Sequence, residues 1–152
     1  MNAARLHGFG RGMHLRGVPL LPKVVEVLIF LFYNSYIPVS ASIGKGTVFA
    51  YKGIGVVVHG QSRIGSRCII GQQVTIGGKS GASSPPQIGD RVYIATGAKV
   101  LGDITIGDEC VIGANAVVLQ SVPLRSVVAG VPAKVIRSDI DIEQYFGQYA
   151  QP

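Results

Sequence analysis

An apolar residue recurs every six positions through the middle of this chain. From Ile64 the beat runs Ile64, Ile70, Ile76, then Ile88, Ile94, Val100, Ile106, Ile112 and Val118, and only the slot at Ala82 fails. The residue after a beat is usually small: Gly65, Gly71, Gly77, Gly89, Ala95, Gly107 and Gly113. Two places before a beat stands another small or apolar residue, as at Ser62, Cys68, Val74, Val92, Ala98, Cys110 and Ala116. A period of six matches neither the 3.6 of a helix nor the alternation of a strand. It matches a short strand and a turn, repeated, with the beat residue facing inward. Three hexads make one coil of a triangular prism, a parallel β-helix. A lone coil cannot cover its own apolar side, so the coils must stack. Each inward Ile contributes roughly 1.5–3 kcal/mol on leaving water.

The beat slips twice, and each slip marks a candidate wall of a site. Ile43 and Phe49 keep time, but the next in-phase residue is Val58, nine positions on. The surplus falls in Tyr51-Lys52-Gly53-Ile54-Gly55, where two glycines permit a bulge. Downstream, the stretch from Gly77 to Pro86, GGKSGASSPP, has loop composition.

The ends differ in kind. Lys23 to about Tyr33 is expected to form one helix capping the first coil, with Pro38 as its stop signal. Its apolar run of about eleven residues is short of the ~20 that a spanning helix needs. Peripheral membrane contact, aided by the basic residues before it, is the other use open to that helix. The chain thus divides into a basic arm and capping helix (1–36), the prism (37–136) and a C-terminal tail (137–152) that can fold back as a short helix.

Composition agrees with the pattern. Of 152 residues, 21 are Gly, about twice the usual ~7%. Ile and Val number 36 against 9 Leu, which disfavours a helical bundle because β-branched side chains suit strands. A hydrophobic share of 47% argues against disorder. The net charge is +6, but Lys and Arg are scattered and no nucleic-acid motif accompanies them. Two cysteines make no disulfide framework, no secretory leader is recognisable, and the expected compartment is the cytoplasm, with the inner membrane surface open to it.

The hexad prism, the GGKSG loop and the closing AGVPAKVI together resemble the hexapeptide-repeat acyltransferases. The stretches IGKGTVFAYKGIGVVVHGQSRIG, VTIGGKSG, IATGAKVLGDITIG and IGANAVVLQSVP narrow the resemblance to the serine O-acetyltransferases and their relatives in polysaccharide gene clusters. The resemblance implies an all-β fold, a left-handed parallel β-helix, assembled as a homotrimer with sites in clefts between neighbours. It implies acetyl-CoA as donor, lying along a prism edge. Gly78, Thr96 and Ala114 match family contacts to that cofactor, and Lys79 and Lys134 are candidates for its phosphates, as point cations suit a polyphosphate.

Acetyl transfer to a hydroxyl calls for a base, and an imidazole titrates close to working pH. His7 and His14 lie in the basic arm and are expected in solvent. His59 alone falls in the prism, beside the first slip, and is the candidate catalytic base. Tyr51 is the candidate contact to the acceptor. In the serine enzymes a catalytic histidine occupies the slot of Tyr51, a second that of Pro85 and an acidic residue that of Tyr36, so the constellation that reads L-serine is largely replaced. The expected acceptor is therefore a sugar hydroxyl, with L-serine as the alternative and a catalytically inactive binding module as the rival outside enzymes. No metal is expected: one prism histidine cannot supply the several ligands that the carbonic anhydrases of this fold use. Cys68 and Cys110, in inward slots, are expected to be small hydrophobes rather than nucleophiles.

Overall fold

The computed structural model describes residues 2–147. The end of the expected tail, residues 148–152, lies outside the described residues.

Two helices precede the prism: α1 (Ala3–Leu15) and α2 (Leu21–Tyr33). The strands are then β1 (Ser42–Ile43), β2 (Val48–Phe49), β3 (Val57–Val58), β4 (Arg63–Ile64), β5 (Ile69–Ile70) and β6 (Thr75–Gly77). They continue as β7 (Gln87–Ile88), β8 (Tyr93–Ile94), β9 (Lys99–Leu101), β10 (Thr105–Ile106), β11 (Val111–Ile112) and β12 (Val117–Val118). The closing pair is β13 (Val127–Gly130) and β14 (Ala133–Arg137), and a short α3 (Glu143–Phe146) follows.

Every third strand pairs in parallel, which makes three sheets: β1-β4-β7-β10, β2-β5-β8-β11-β13-β14 and β3-β6-β9-β12. This is the parallel β-helix that the hexad beat demands, in the left-handed form that the family resemblance implies. All nine beat residues from Ile64 to Val118 are buried, and so are the slots two places before them. The antiparallel β13–β14 hairpin closes the last coil.

The two slips prove to be corner insertions. Ile76 and Ile88 sit in consecutive strands of the coil, while the hexad around Ala82 is expelled as a corner loop. Between Phe49 and Val58 the surplus residues form a 3-10 turn, Ala50–Gly53, in which Tyr51 (φ 50°) and Lys52 (φ 65°) both take left-handed backbone. Strands keep their register on either side, because the stacked ladders cannot shift without moving every side chain.

At Gly65, Gly71, Gly89 and Gly107 the small residue after the beat is explained by close approach between coils. A Cβ on residue 65 would lie 2.3 Å from the carbonyl oxygen of Gly89, backbone against backbone. The next turn position instead takes left-handed backbone in polar residues, including Arg67, Gln73, Arg91, Glu109 and Asn115. Along one edge these turns are tied by carboxylates: Ser66 N–H donates to Asp90 Oδ1 (2.7 Å) and Asp90 N–H to Asp108 Oδ1 (2.8 Å).

The N-terminal segment corrects the reading of a solvated arm. Residues 3–15 are helical and packed on the first coil, and His7 is 2% exposed. Its Nε2 donates to the carbonyl oxygen of Pro38 at 3.0 Å. Arg11 Nη1 reaches the carbonyl oxygens of Val39, Ser40 and Ala41. His14 is exposed, as expected. The capping helix α2 begins two residues earlier than the sequence indicated, with Pro22 in its first turn, where a missing N–H costs nothing.

The tail folds back as a short helix. Ile140, Ile142 and Phe146 form a second apolar cluster with Ile69, Val111 and Val127 on the outside of the second sheet. Arg91 fastens it, pairing with Glu109 and Glu143 and standing 5.6 Å from the Phe146 ring centre. No helix among the described residues is long and apolar enough to cross a membrane.

Candidate active site

The prism has three edges, and the residues selected from sequence divide between two of them. One edge joins the third sheet to the first and carries residues 59–62, 78–86 and 102–104. His59, Gly78 and Lys79 stand here on consecutive coils. The His59 N–H donates to the carbonyl oxygen of Ile76 (2.8 Å), and the Gly102 N–H to that of Gly77 (3.0 Å), so the corners stack directly. Gly78 and Lys79 are exposed, and residues 79–82 close a turn through the Ala82 N–H to the Lys79 carbonyl (2.9 Å). Asp103 accepts from Ser83 Oγ at 2.7 Å and pins the loop to the next coil. A hollow of about 200 Å³ lies between, lined by Lys79, Gly81, Leu101, Gly102, Asp103 and Leu119.

His59 is exposed. Its Nδ1 accepts the backbone N–H of Gln61 at 3.2 Å. A neutral ring that keeps this bond carries its proton on Nε2, the nitrogen left for a ligand. Beside it Gly60 leaves little room for a side chain, since a Cβ there would meet Ser40 Oγ at 2.6 Å.

The second edge joins the second sheet to the third and carries residues 50–56, 71–74, 95–98 and 113–116. Tyr51, Thr96 and Ala114 lie here. Thr96 Oγ1 donates to Gln72 Oε1 (2.9 Å), and its carbonyl takes the Asn115 N–H. Ala114 is exposed on the next coil, and Lys134 is exposed on β14. Tyr51 projects from the 3-10 corner, 68% exposed. A single chain therefore unites His59 with the Gly78–Lys79 loop, and Tyr51 with Thr96 and Ala114, but does not join the two groups.

The bulge that carries Tyr51 has a support that sequence reasoning missed. Ser35, 1% exposed, accepts the Val56 N–H at 3.2 Å, and its hydroxyl lies against the carbonyls of Tyr33 (3.0 Å) and Gly53. Gln61 and Asp103 were missed as well, because one acts through its backbone and the other through a loop contact. Tyr36 pairs with Val57 in a parallel bridge and is 57% exposed, whereas Pro85 is buried.

Other candidates fall away. Burial pushes the Cys68 thiol up to about 11 and raises that of Cys110, so neither is a thiolate near neutral pH. No group of three metal-ligating side chains occurs among the described residues. Two roomier hollows, about 640 Å³ under α1 and about 760 Å³ on the first sheet, touch none of the selected residues.

Residues 85–120 match the bacterial transferase hexapeptide (six repeats) family. A serine acetyltransferase of Staphylococcus aureus is 48% identical over 119 residues, 77% of this chain and 55% of that protein. The chain carries the transferase hexapeptide repeat and resembles the serine acetyltransferases. Superposition agrees. The Brucella abortus serine acetyltransferase in complex with coenzyme A matches 90% of this chain and 55% of its own, at 30% identity and TM-score 0.84. The Neisseria gonorrhoeae enzyme in complex with serine matches 87% of this chain and 54% of its own, at 32% identity and TM-score 0.80. The chain thus spans little more than half the length of the relatives it matches.

Proposed function

We propose that this chain is an acetyl-CoA-dependent O-acetyltransferase that moves acetyl directly from the thioester to a small hydroxyl acceptor, L-serine before others. What carries the reading is the stacking of His59 on the Gly77–Gly78–Lys79 loop along one prism edge. The relatives favour serine, being serine acetyltransferases by name, one of them in complex with serine and another with coenzyme A.

In the proposed step the acceptor oxygen attacks the thioester carbonyl carbon as its proton passes to His59 Nε2. The carbon–sulfur bond then breaks, and the proton leaves with the coenzyme A thiol. Taking that proton requires a bare Nε2, so the ring proton must sit on Nδ1 and the Gln61 bond must open when substrate binds. Loop amides near Gly77 and Gly78 are the proposed donors to the oxyanion as it develops. Gly78, Lys79, Thr96, Ala114 and Lys134 hold the donor, the two lysines at its phosphates, and Tyr51 contacts the acceptor. Because Tyr51, Thr96 and Ala114 stand on a different edge from His59, the site is completed in clefts between neighbours of a homotrimer. Its donor places the work in the cytoplasm.

A sugar hydroxyl is the second reading. It is favoured by Tyr36, Tyr51 and Pro85, which stand where the resemblance expects acidic and imidazole groups. Thiol release from acetyl-CoA, measured with L-serine and with a sugar panel, decides between them. No acceptor-dependent release with any of them would leave a binding module.

A further inference from the structure

The outward side of α2 carries almost nothing polar. Pro22, Val25, Ile29 and Tyr33 face the prism, while Val24, Val27, Phe30, Leu31 and Phe32 are half or more exposed. A surface helix of a water-soluble domain presents charged residues on that side. Here only Lys23 does, since Glu26 turns inward and its Oε1 accepts the Val39 N–H at 2.8 Å. The α1–α2 turn extends the patch: Leu15 is 71% and Leu20 75% exposed, and Leu20 is held in left-handed backbone (φ 66°), which a bulky residue adopts at a cost.

The charge of the molecule is concentrated at the same end. Residues 1–63 hold seven Lys or Arg and one acidic residue, whereas residues 64–152 hold seven of each. The whole net charge of +6 thus belongs to the helical cap and first coil. Arg11 is engaged with backbone carbonyls, but Arg5, Arg16, Lys23 and Lys52 are exposed and form no ion pair among the described residues.

We infer that the outer face of α2 docks on an anionic membrane surface, lying in the interface with its apolar side down and Arg16 and Lys23 at the headgroups. Charge decides against a second copy as the occupant. Pairing two such ends would bring like charges together at an apolar seam, whereas anionic lipid supplies the opposite sign. The helix is too short to span, so the contact is peripheral and sensitive to salt.

Vesicle flotation of the full chain tests this. Phosphatidylcholine vesicles containing about a quarter phosphatidylglycerol should carry the protein at low salt and release it at high salt, and pure phosphatidylcholine should carry at least about tenfold less. Leu31→Asp and Lys23→Glu should each lose about tenfold or more of the binding, with circular dichroism unchanged. Arg137→Glu, in the electroneutral half, should bind as the parent does. Equal flotation of parent and both variants, or no preference for anionic lipid, overturns the inference. So does lipid-free self-association that Leu31→Asp abolishes, because a second copy would then cover the face.

Discussion

The backbone N–H of Gln61 points at Nδ1 of His59, 3.2 Å away, and thereby selects the tautomer of the one exposed imidazole in the prism. The arrangement is the reverse of a primed base, whose Nδ1–H is held by an acceptor while Nε2 stays bare. The resting protein should therefore show the Nε2–H tautomer in the nitrogen-15 spectrum of the His59 ring. Saturation with coenzyme A and acceptor should shift it to Nδ1–H. An Nδ1–H ring in the free protein would mean that the Gln61 contact does not set the tautomer.

Ser35→Ala should destabilise the chain by about 1–3 kcal/mol, because the buried Val56 N–H and Gly53 carbonyl would lose a partner. Denaturant titration measures the loss. The same variant should loosen the corner that carries Tyr51, seen as faster amide exchange over residues 50–56.

Two glycines separate the needs of the fold from those of the ligand. Gly65→Ala forces a Cβ against the Gly89 backbone and should cost about 1–3 kcal/mol in stability, the range for overpacking. Around Gly78 nothing lies within 4 Å of a new Cβ, so Gly78→Ala should melt as the parent does. Its effect should be a raised KM for acetyl-CoA. An unchanged KM would remove Gly78 from the donor site.

Stability should fall away at both ends of the pH scale, for different reasons. Burial, ahead of all other causes, lowers the pKa of His7 below its ordinary 6.5, so the folded state resists a proton that the unfolded chain accepts. That contribution is present above pH 6.5 and is lost as pH falls below it, and α1 should detach first. Cys68 runs the other way: its thiol, held protonated by burial up to about 11 against 9.0 unfolded, stabilises below pH 9. The loss between pH 9 and 11 should amount to about 2–3 kcal/mol. Cys68→Ala should flatten the alkaline limb of the denaturation profile.

Much of this was legible in the residues, and the exceptions have physical causes. The beat from Ile64 to Val118 gives the sheets and their inward faces, because a stacked coil repeats one constraint. Even the failed slot at Ala82 marks a corner loop. By contrast α1 carries Gly8, Gly10 and Gly12, poor helix formers, and reads as a basic arm. It is held by tertiary contacts that no local pattern announces: Gly10 lets the helix close on Val25 and Val39, and His7 reaches Pro38. The left-handed corners at Arg67, Arg91 and Glu109 likewise have no glycine to signal them. At the candidate site, the shared edge of His59 and Lys79 follows from counting hexads. The donor to His59 does not, since Gln61 acts through an N–H that every residue but proline has.

The proposed activity rests on His59, and one comparison tests it most directly. Thiol release from acetyl-CoA in the presence of L-serine should fall about 10²–10⁴-fold in His59→Ala, with the oligomer and the melting temperature unchanged. Release at the parent rate in that variant would show that this imidazole takes no part in the transfer.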